Sequence, residues 1–129
     1  MKEIKVKFYP SEAEVVAIAC EVAKSIGAKT KGLMYKSFLP KDKGMLFPFW
    51  FPWIRGFWMK NVDIPLDIIF INRNLKILNI CEADVDSGWL HKIYWSQGLC
   101  KYVVECNKGF CKKHKILTGG KIEFENIKK

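Results

Sequence analysis

Apolar and polar residues alternate along much of this chain, mostly with a period of two. From Lys2 to Phe8, Ile4, Val6 and Phe8 fall on one face and Glu3, Lys5 and Lys7 on the other, the pattern of a half-buried strand. Ile64-Pro65-Leu66-Asp67-Ile68-Ile69-Phe70-Ile71 is an apolar, β-branched run. Asn72-Arg73-Asn74 follows as a turn and Leu75 to Ile80 returns as a strand, which predicts a hairpin. Lys101 to Cys106 predicts another strand, Gly109 to Lys115 a short helical turn, Gly119-Gly120 a turn, and Lys121 to Glu125 a closing strand.

One stretch carries two signals. Ser11-Glu12-Ala13-Glu14 matches a helix capping box, and the Ala-rich run to Gly27 fits a helix behind it. Yet Val16, Ile18, Cys20 and Val22 also alternate with period two, with Pro10-Ser11 as the hairpin turn. On local grounds the cap and the closing glycine favour the helix. The sum is about five strands with short helices, an α+β fold, mostly antiparallel β, in a small barrel-like or strongly curved sheet.

The 129 residues carry no internal repeat, low-complexity tract or linker, so one domain over 1–129 is expected. The segment Met1 to Lys7 lacks the apolar centre of a secretion signal. The longest apolar run, Met45 to Ile54, is too short to span a bilayer and contains Pro48 and Pro52. A cytoplasmic location is the expectation. Cys20, Cys81, Cys100, Cys106 and Cys111 are irregularly spaced, without a CxxC pair, and read as reduced thiols.

The net charge of +9 comes from 22 basic against 13 acidic residues. Only Arg55 and Arg73 are arginines, the side chain suited to bidentate phosphate and base recognition. Scattered lysines imply a generally cationic surface that attracts anions, and the scarcity of arginine argues against nucleic acid as partner.

The middle of the chain resembles the uncharacterised family called domain of unknown function 192. The matching pieces are Gly32-Leu33-Met34, Leu39-Pro40 followed by Gly44-Met45-Leu46-Phe47, then Phe57-Trp58-Met59-Lys60-Asn61 and Ile64-Pro65-Leu66-Asp67-Ile68-Ile69-Phe70-Ile71. Tyr102-Val103-Val104-Glu105 with Gly109-Phe110 resembles the family's C-terminal signature. The resemblance implies that Val15 to Ala23 is a strand, with a helix only around Ser25 to Lys31. It implies no chemistry. Two departures stand out. Where the family has a polar loop between Phe49 and Phe57, this chain has Trp50-Phe51-Pro52-Trp53-Ile54, and the family's terminal Gly-Asp is here Gly119-Gly120.

Two candidate surfaces follow. Trp58, Lys60, Asn61 and Asp67 offer an aromatic plate, a cation, an amide and a carboxylate, the parts that hold a small polar ring compound. The competing structural reading places Trp58 and Met59 in the core, pairs Lys60 with Asp67 across the strands, and puts Asn61 in a turn. Trp50, Phe51, Trp53 and Ile54 lie where a loop is expected. Exposed, they suit a membrane surface, a protein partner or a second copy; alternatively the loop folds back over the barrel mouth. Cys100, Cys106, Cys111 and His114 are zinc-ligand types but lack the close pairs of structural zinc sites, so no metal and no cofactor is expected. Cys81 is discounted as a nucleophile, because the nearby acids Glu82, Asp84 and Asp86 would raise its pKa. The leading expectation is a binding domain for a small polar ligand. The alternatives are an interaction module using the aromatic loop, and an enzyme using Lys60 and Asp67 as an acid–base pair.

Overall fold

The structure, a computed structural model, describes residues 2–127. The first two strands, β1 (Glu3–Ser11) and β2 (Glu14–Val22), form an antiparallel hairpin with Val6 opposite Ile18 and Ile4 opposite Cys20. The doubled signal is thus settled for the strand. Ser11 and Glu14 face each other across a two-residue turn, and the Ser11 hydroxyl donates to Glu14 Oε1 at 3.3 Å. A capping box and a tight hairpin both need partners three residues apart, so local pattern could not separate them. The turn is Glu12-Ala13, two residues beyond the expected Pro10-Ser11.

A short helix, α1 (Ile26–Lys31), follows, with the Ser25 hydroxyl accepting from the Ala28 amide at 3.0 Å as its N-cap. Gly32 closes it at a φ of +46°. The helix lies in the crossover between β2 and β3 (Lys43–Trp53), which run parallel. Next come β4 (Gly56–Trp58), β5 (Leu66–Ile71), β6 (Ile77–Ala83) and β7 (Ile93–Trp95). β8 (Cys100–Asn107), α2 (Phe110–His114) and β9 (Lys121–Asn126) complete the order.

Seven strands form one sheet in the order β6-β5-β8-β3-β2-β1-β9, strongly curled into a half-barrel, and β4 with β7 forms a separate antiparallel ribbon. The edge strands of the large sheet meet at one corner. There the Ile77 amide donates to the Gly120 carbonyl at 3.0 Å and the Ile122 amide to the Leu75 carbonyl at 2.9 Å.

This sheet buries both faces. Strands β1, β2, β5, β6, β8 and β9 line the inside of the curl with Val6, Phe8, Ile18, Ile69, Ile77, Val104 and Ile122, closed by Phe110 and Cys111 of α2. On the outer face, Met45, Phe47, Ile68, Phe70 and Val103 form a second core with Leu33 and Met59. Phe57 and Tyr94, on the inner side of the β4–β7 ribbon, pack against that second core. Six consecutive residues of β5 are buried because alternate side chains serve the two cores.

The expected loop between Phe49 and Phe57 is largely strand. β3 continues through Trp50, Phe51 and Trp53 before turning at Ile54-Arg55 into β4. Pairing with β2 stops at Leu46, so beyond it one edge of β3 has no strand partner, and Pro48 and Pro52 cost no ladder bond on that side. The register with β8 slips between Pro48 and Trp53. The aromatic segment does not fold back over the barrel: Trp50, Phe51, Trp53 and Ile54 are exposed.

Candidate functional site

A cleft of about 460 Å³ opens on the outer face of the sheet, between α1 and the turn from β3 into β4. Four of the sequence blocks converge on it: Gly32-Leu33-Met34, Phe47, Phe57-Trp58 and Glu105. Strand alternation explains the convergence. Phe47 of β3 and Glu105 of β8 point to the outer face, where Glu105 stands opposite Met45 and Ile68 of the second core. Gly32 brings the backbone against Phe47; a Cβ there would lie 3.3 Å from the ring, on a backbone at positive φ.

Glu105 is the anomaly of this cleft. It is 5% exposed in the middle of a central strand, and its pKa is pushed up to about 8. Burial is the cause; no hydrogen bond and no neighbouring cation contributes. At neutral pH the group is thus mainly a neutral carboxylic acid, able both to donate and to accept a hydrogen bond. Buried polar groups are normally satisfied by protein partners. This one faces the cleft.

The opposite end of the cleft is cationic. The Arg55 guanidinium lies 4.1 Å from the centre of the Phe49 ring and Lys29 Nζ 4.8 Å from it. Arg55 also donates to the Phe51 carbonyl, and Lys101 donates to the Phe49 carbonyl. Partial burial lowers the Lys29 pKa, helped by the nearby charges of Arg55 and Lys101. The rings of Phe47, Phe49 and Phe70 all meet Phe57 edge-on, at centroid distances of 5.2, 6.4 and 6.0 Å. The cleft therefore offers an aromatic wall, one buried acid and several cations.

The structure separates the four residues singled out from sequence. Trp58 lines the cleft, half exposed. Lys60 lies just past β4 with its ammonium 5.3 Å from the Trp58 ring, and does not line the cleft. Asn61 holds a turn at a φ of +60°, its carbonyl accepting from the Tyr35 amide at 2.8 Å. Asp67 stands on the other side of the sheet. It shares the inner face of β5 with Ile69 and Ile71, and its carboxylate accepts from the Gly109 amide at 3.3 Å and the Cys111 amide at 2.9 Å. Those two amides begin α2, so Asp67 acts as a helix cap supplied from a neighbouring strand. Among the described residues no ion pair joins Lys60 to Asp67. The expected acid–base pair is therefore not assembled: one partner is exposed beside Trp58 and the other is sealed under α2.

Glu105, Lys29 and Arg55 were missed as site residues. A signal for Glu105 was present, an acid between Val104 and Cys106 inside an otherwise apolar strand. Nothing local marked Lys29 among the other lysines, and Arg55 stood out only as one of two arginines, next to the aromatic run.

The thiols are dispersed. Cys20, Cys106 and Cys111 share the inner core while Cys100 belongs to the outer one, and the His114 ring packs on Phe110 at 4.7 Å. Among the described residues no group of three or more His, Cys, Asp or Glu could hold a metal. Cys81 is half-buried, and burial raises its pKa. Burial is therefore the physical reason this thiol is not activated, rather than the nearby acids.

Fold and cleft together define a curled α+β half-barrel carrying an aromatic, cation-rimmed cleft on its outer face. The chain belongs to the DUF192 family (Uncharacterized ACR), whose model matches residues 8–124. It is similar to a candidate transcription regulator from Sinorhizobium meliloti 1021, at 30% identity and a TM-score of 0.87, with 95% of this chain and 93% of that one covered. It is also similar to a protein of unknown function from Novosphingobium aromaticivorans DSM 12444. The identity there is 29% and the TM-score 0.84, covering 92% of this chain and 83% of that one. No functionally curated protein matches the chain. Among the described residues no helix is long and apolar enough to cross a membrane.

Proposed function

We propose that this protein is a binding domain for a small polar ligand held in the cleft between α1 and the β3–β4 turn. The observation that carries the reading is Glu105, a buried, uncharged carboxyl that has no hydrogen-bond partner among the described residues and faces a cleft of about 460 Å³. A group of this kind costs stability unless something bonds to it, and perturbed acids in clefts mark functional sites. The cleft volume suits a compound of cofactor or metabolite size.

The lining narrows the ligand class. Phe47, Phe49, Phe57 and Trp58 suit a planar or apolar body, Glu105 a hydrogen-bonding end, and Lys29, Lys31 and Arg55 an anionic end. A ring compound bearing a carboxylate or phosphate combines the three. Trp58 is the one residue of the sequence-derived set that belongs to this site. Lys60 contributes a nearby charge, and Asn61 and Asp67 contribute structure.

Native mass spectrometry of the gently purified protein tests the reading. The expected result is a small-molecule increment above the 15.0 kDa chain that disappears in Glu105→Leu, which removes both donor and acceptor. A bare chain, or an increment unchanged in that variant and in Arg55→Ala, would overturn it.

A further inference from the structure

Tryptophan is normally among the more buried side chains on average. Here all five tryptophans are exposed: Trp50 by 92%, Trp53 by 60%, Trp58 by 46%, Trp89 by 86% and Trp95 by 54%. Trp50 and Trp53 stand on the tip of β3, and the other three lie on or beside the β4–β7 ribbon. In the β4–β7 ribbon Trp58 stands opposite Ile93 and Gly56 opposite Trp95, so by strand alternation Trp58, Ile93 and Trp95 occupy the outward face. Gly56 is the gap over which that face closes, since a Cβ there would lie 2.7 Å from the Trp95 ring and 2.8 Å from Ile93. The loop before β7, which carries Trp89 and Leu90, is joined to this face through the His91 ring, 5.7 Å from that of Trp58. On the other flank Phe51 and Trp53 meet edge-on at 6.2 Å, and Arg55 lies 5.1 Å from the Phe51 ring. Trp53 also pairs with Cys100, placing the tip of β3 beside exposed Leu99.

Cations are interleaved with these rings. Lys60 lies over Trp58, while Lys92 lies over Tyr94 at 4.8 Å on the inner side of the ribbon. Among the described residues, the seven ion pairs use none of Lys29, Lys31, Arg55, Lys60, Lys92 or Lys101. Of the acids near the ribbon, Asp86 lies 3.3 Å from His91 Nδ1 and accepts from the Gly88 and Lys92 amides, and Asp84 pairs with Lys108.

We propose that the tip of β3, the outer face of the β4–β7 ribbon and the Trp89 loop form a docking surface for an anionic lipid bilayer. The physical basis is twofold. Indole rings partition to the headgroup level of a bilayer, where an apolar body and a polar N–H are both accommodated. Unpaired lysine and arginine beside them gain from the negative surface potential of anionic lipids while their stems cover apolar surface. A second copy of this chain fits less well, because facing copies would bring Arg55 and Lys60 against like charges. The surface lies beside the cleft, and Ile54 and Trp58 belong to both.

The test is co-sedimentation with vesicles of phosphatidylcholine alone and of equal parts phosphatidylcholine and phosphatidylglycerol. Binding is expected to the mixed vesicles, with a blue shift of tryptophan emission, and to weaken with added salt. Trp50→Ser combined with Trp53→Ser should weaken it roughly tenfold or more, as should Lys60→Glu, each with an unchanged urea midpoint. Glu105→Leu should leave it intact, which separates this surface from the ligand in the cleft. Absence of binding, equal binding to neutral vesicles, or indifference to both variants would overturn the proposal. So would a stable dimer in sedimentation velocity that the tryptophan variant dissolves.

Discussion

Two carboxyls on adjacent sheet strands show how little a residue's identity says without its face. Asp67 pairs in register with Cys106, and Glu105 with Ile68, yet the two acids point to opposite sides of the sheet. Asp67 accepts two backbone amides; Glu105 has no such partner. Their variants should therefore behave in opposite ways. Asp67→Ala leaves two amides at the start of α2 unpaired and should cost about 2–4 kcal/mol in urea unfolding, while leaving any mass carried in the cleft unchanged. For Glu105 the sign follows from linkage. The folded protein holds the proton up to about 8, against 4.5 for the unfolded chain, so the native state binds more protons between those values and stability falls as pH rises. Glu105→Gln keeps the hydrogen-bonding shape without the titration. Between about pH 5 and pH 8 the wild type should lose on the order of 3 kcal/mol that the variant retains. Urea titrations of both proteins across that range check this, and parallel curves would mean that Glu105 ionises at its ordinary pKa.

At the scale of elements, legibility depended on whether one face or two had to be buried. The β1 strand, the β5–β6 hairpin and β9 were legible because period-two alternation, or a β-branched run bounded by turn residues, suits a strand and little else. The β2 strand needed the family resemblance, since its hairpin flanks mimic a helix cap. Most of β3 stayed hidden: two prolines and a run of aromatics look like a loop, and only the open edge past Leu46 makes them acceptable in a strand. The short strands β4 and β7 were missed because three residues carry too little periodicity to register. Their ribbon is held by tertiary polar contacts: Asn79 donates to the Trp95 carbonyl at 3.1 Å and accepts from the Gln97 amide at 2.9 Å. A matching prediction belongs to β3. At Gly44 an added Cβ would lie 2.6 Å from the backbone carbonyl of Glu105, across the β3–β8 ladder. Backbone cannot yield as a flexible side chain can, so Gly44→Ala should destabilise by about 3 kcal/mol, read as a lowered urea midpoint. Gly27→Ala, with open space around its Cβ position, is the control and should not lower it.

On the scale of the whole molecule, a curved sheet was foreseeable from the number and shortness of the strands, but the second core was not. Strand alternation gives each residue a side, and only the pairing order shows that the outer side of β3, β5 and β8 is covered as well. The same gap scattered the sequence-derived site, because Trp58 and Asp67 are near in sequence and separated by the sheet. The arrangement has a consequence for unfolding. Cys106 belongs to the inner core and Cys100 to the outer, but both sit on β8, a strand the two cores share. Burial raises the pKa of Cys100, the contact with the Cys111 thiol and then burial raise that of Cys106, and Cys20 is pushed up to about 12, so all three should resist labelling in the native state. Neither core can open at β8 without removing one wall of the other. Pulsed thiol labelling at increasing urea should therefore modify Cys100 and Cys106 at the same denaturant concentration, in step with loss of the far-UV signal. If Cys100 reacts well before Cys106, the outer core and its cleft open as a separate unit, and the two faces are energetically less coupled than the shared strand implies.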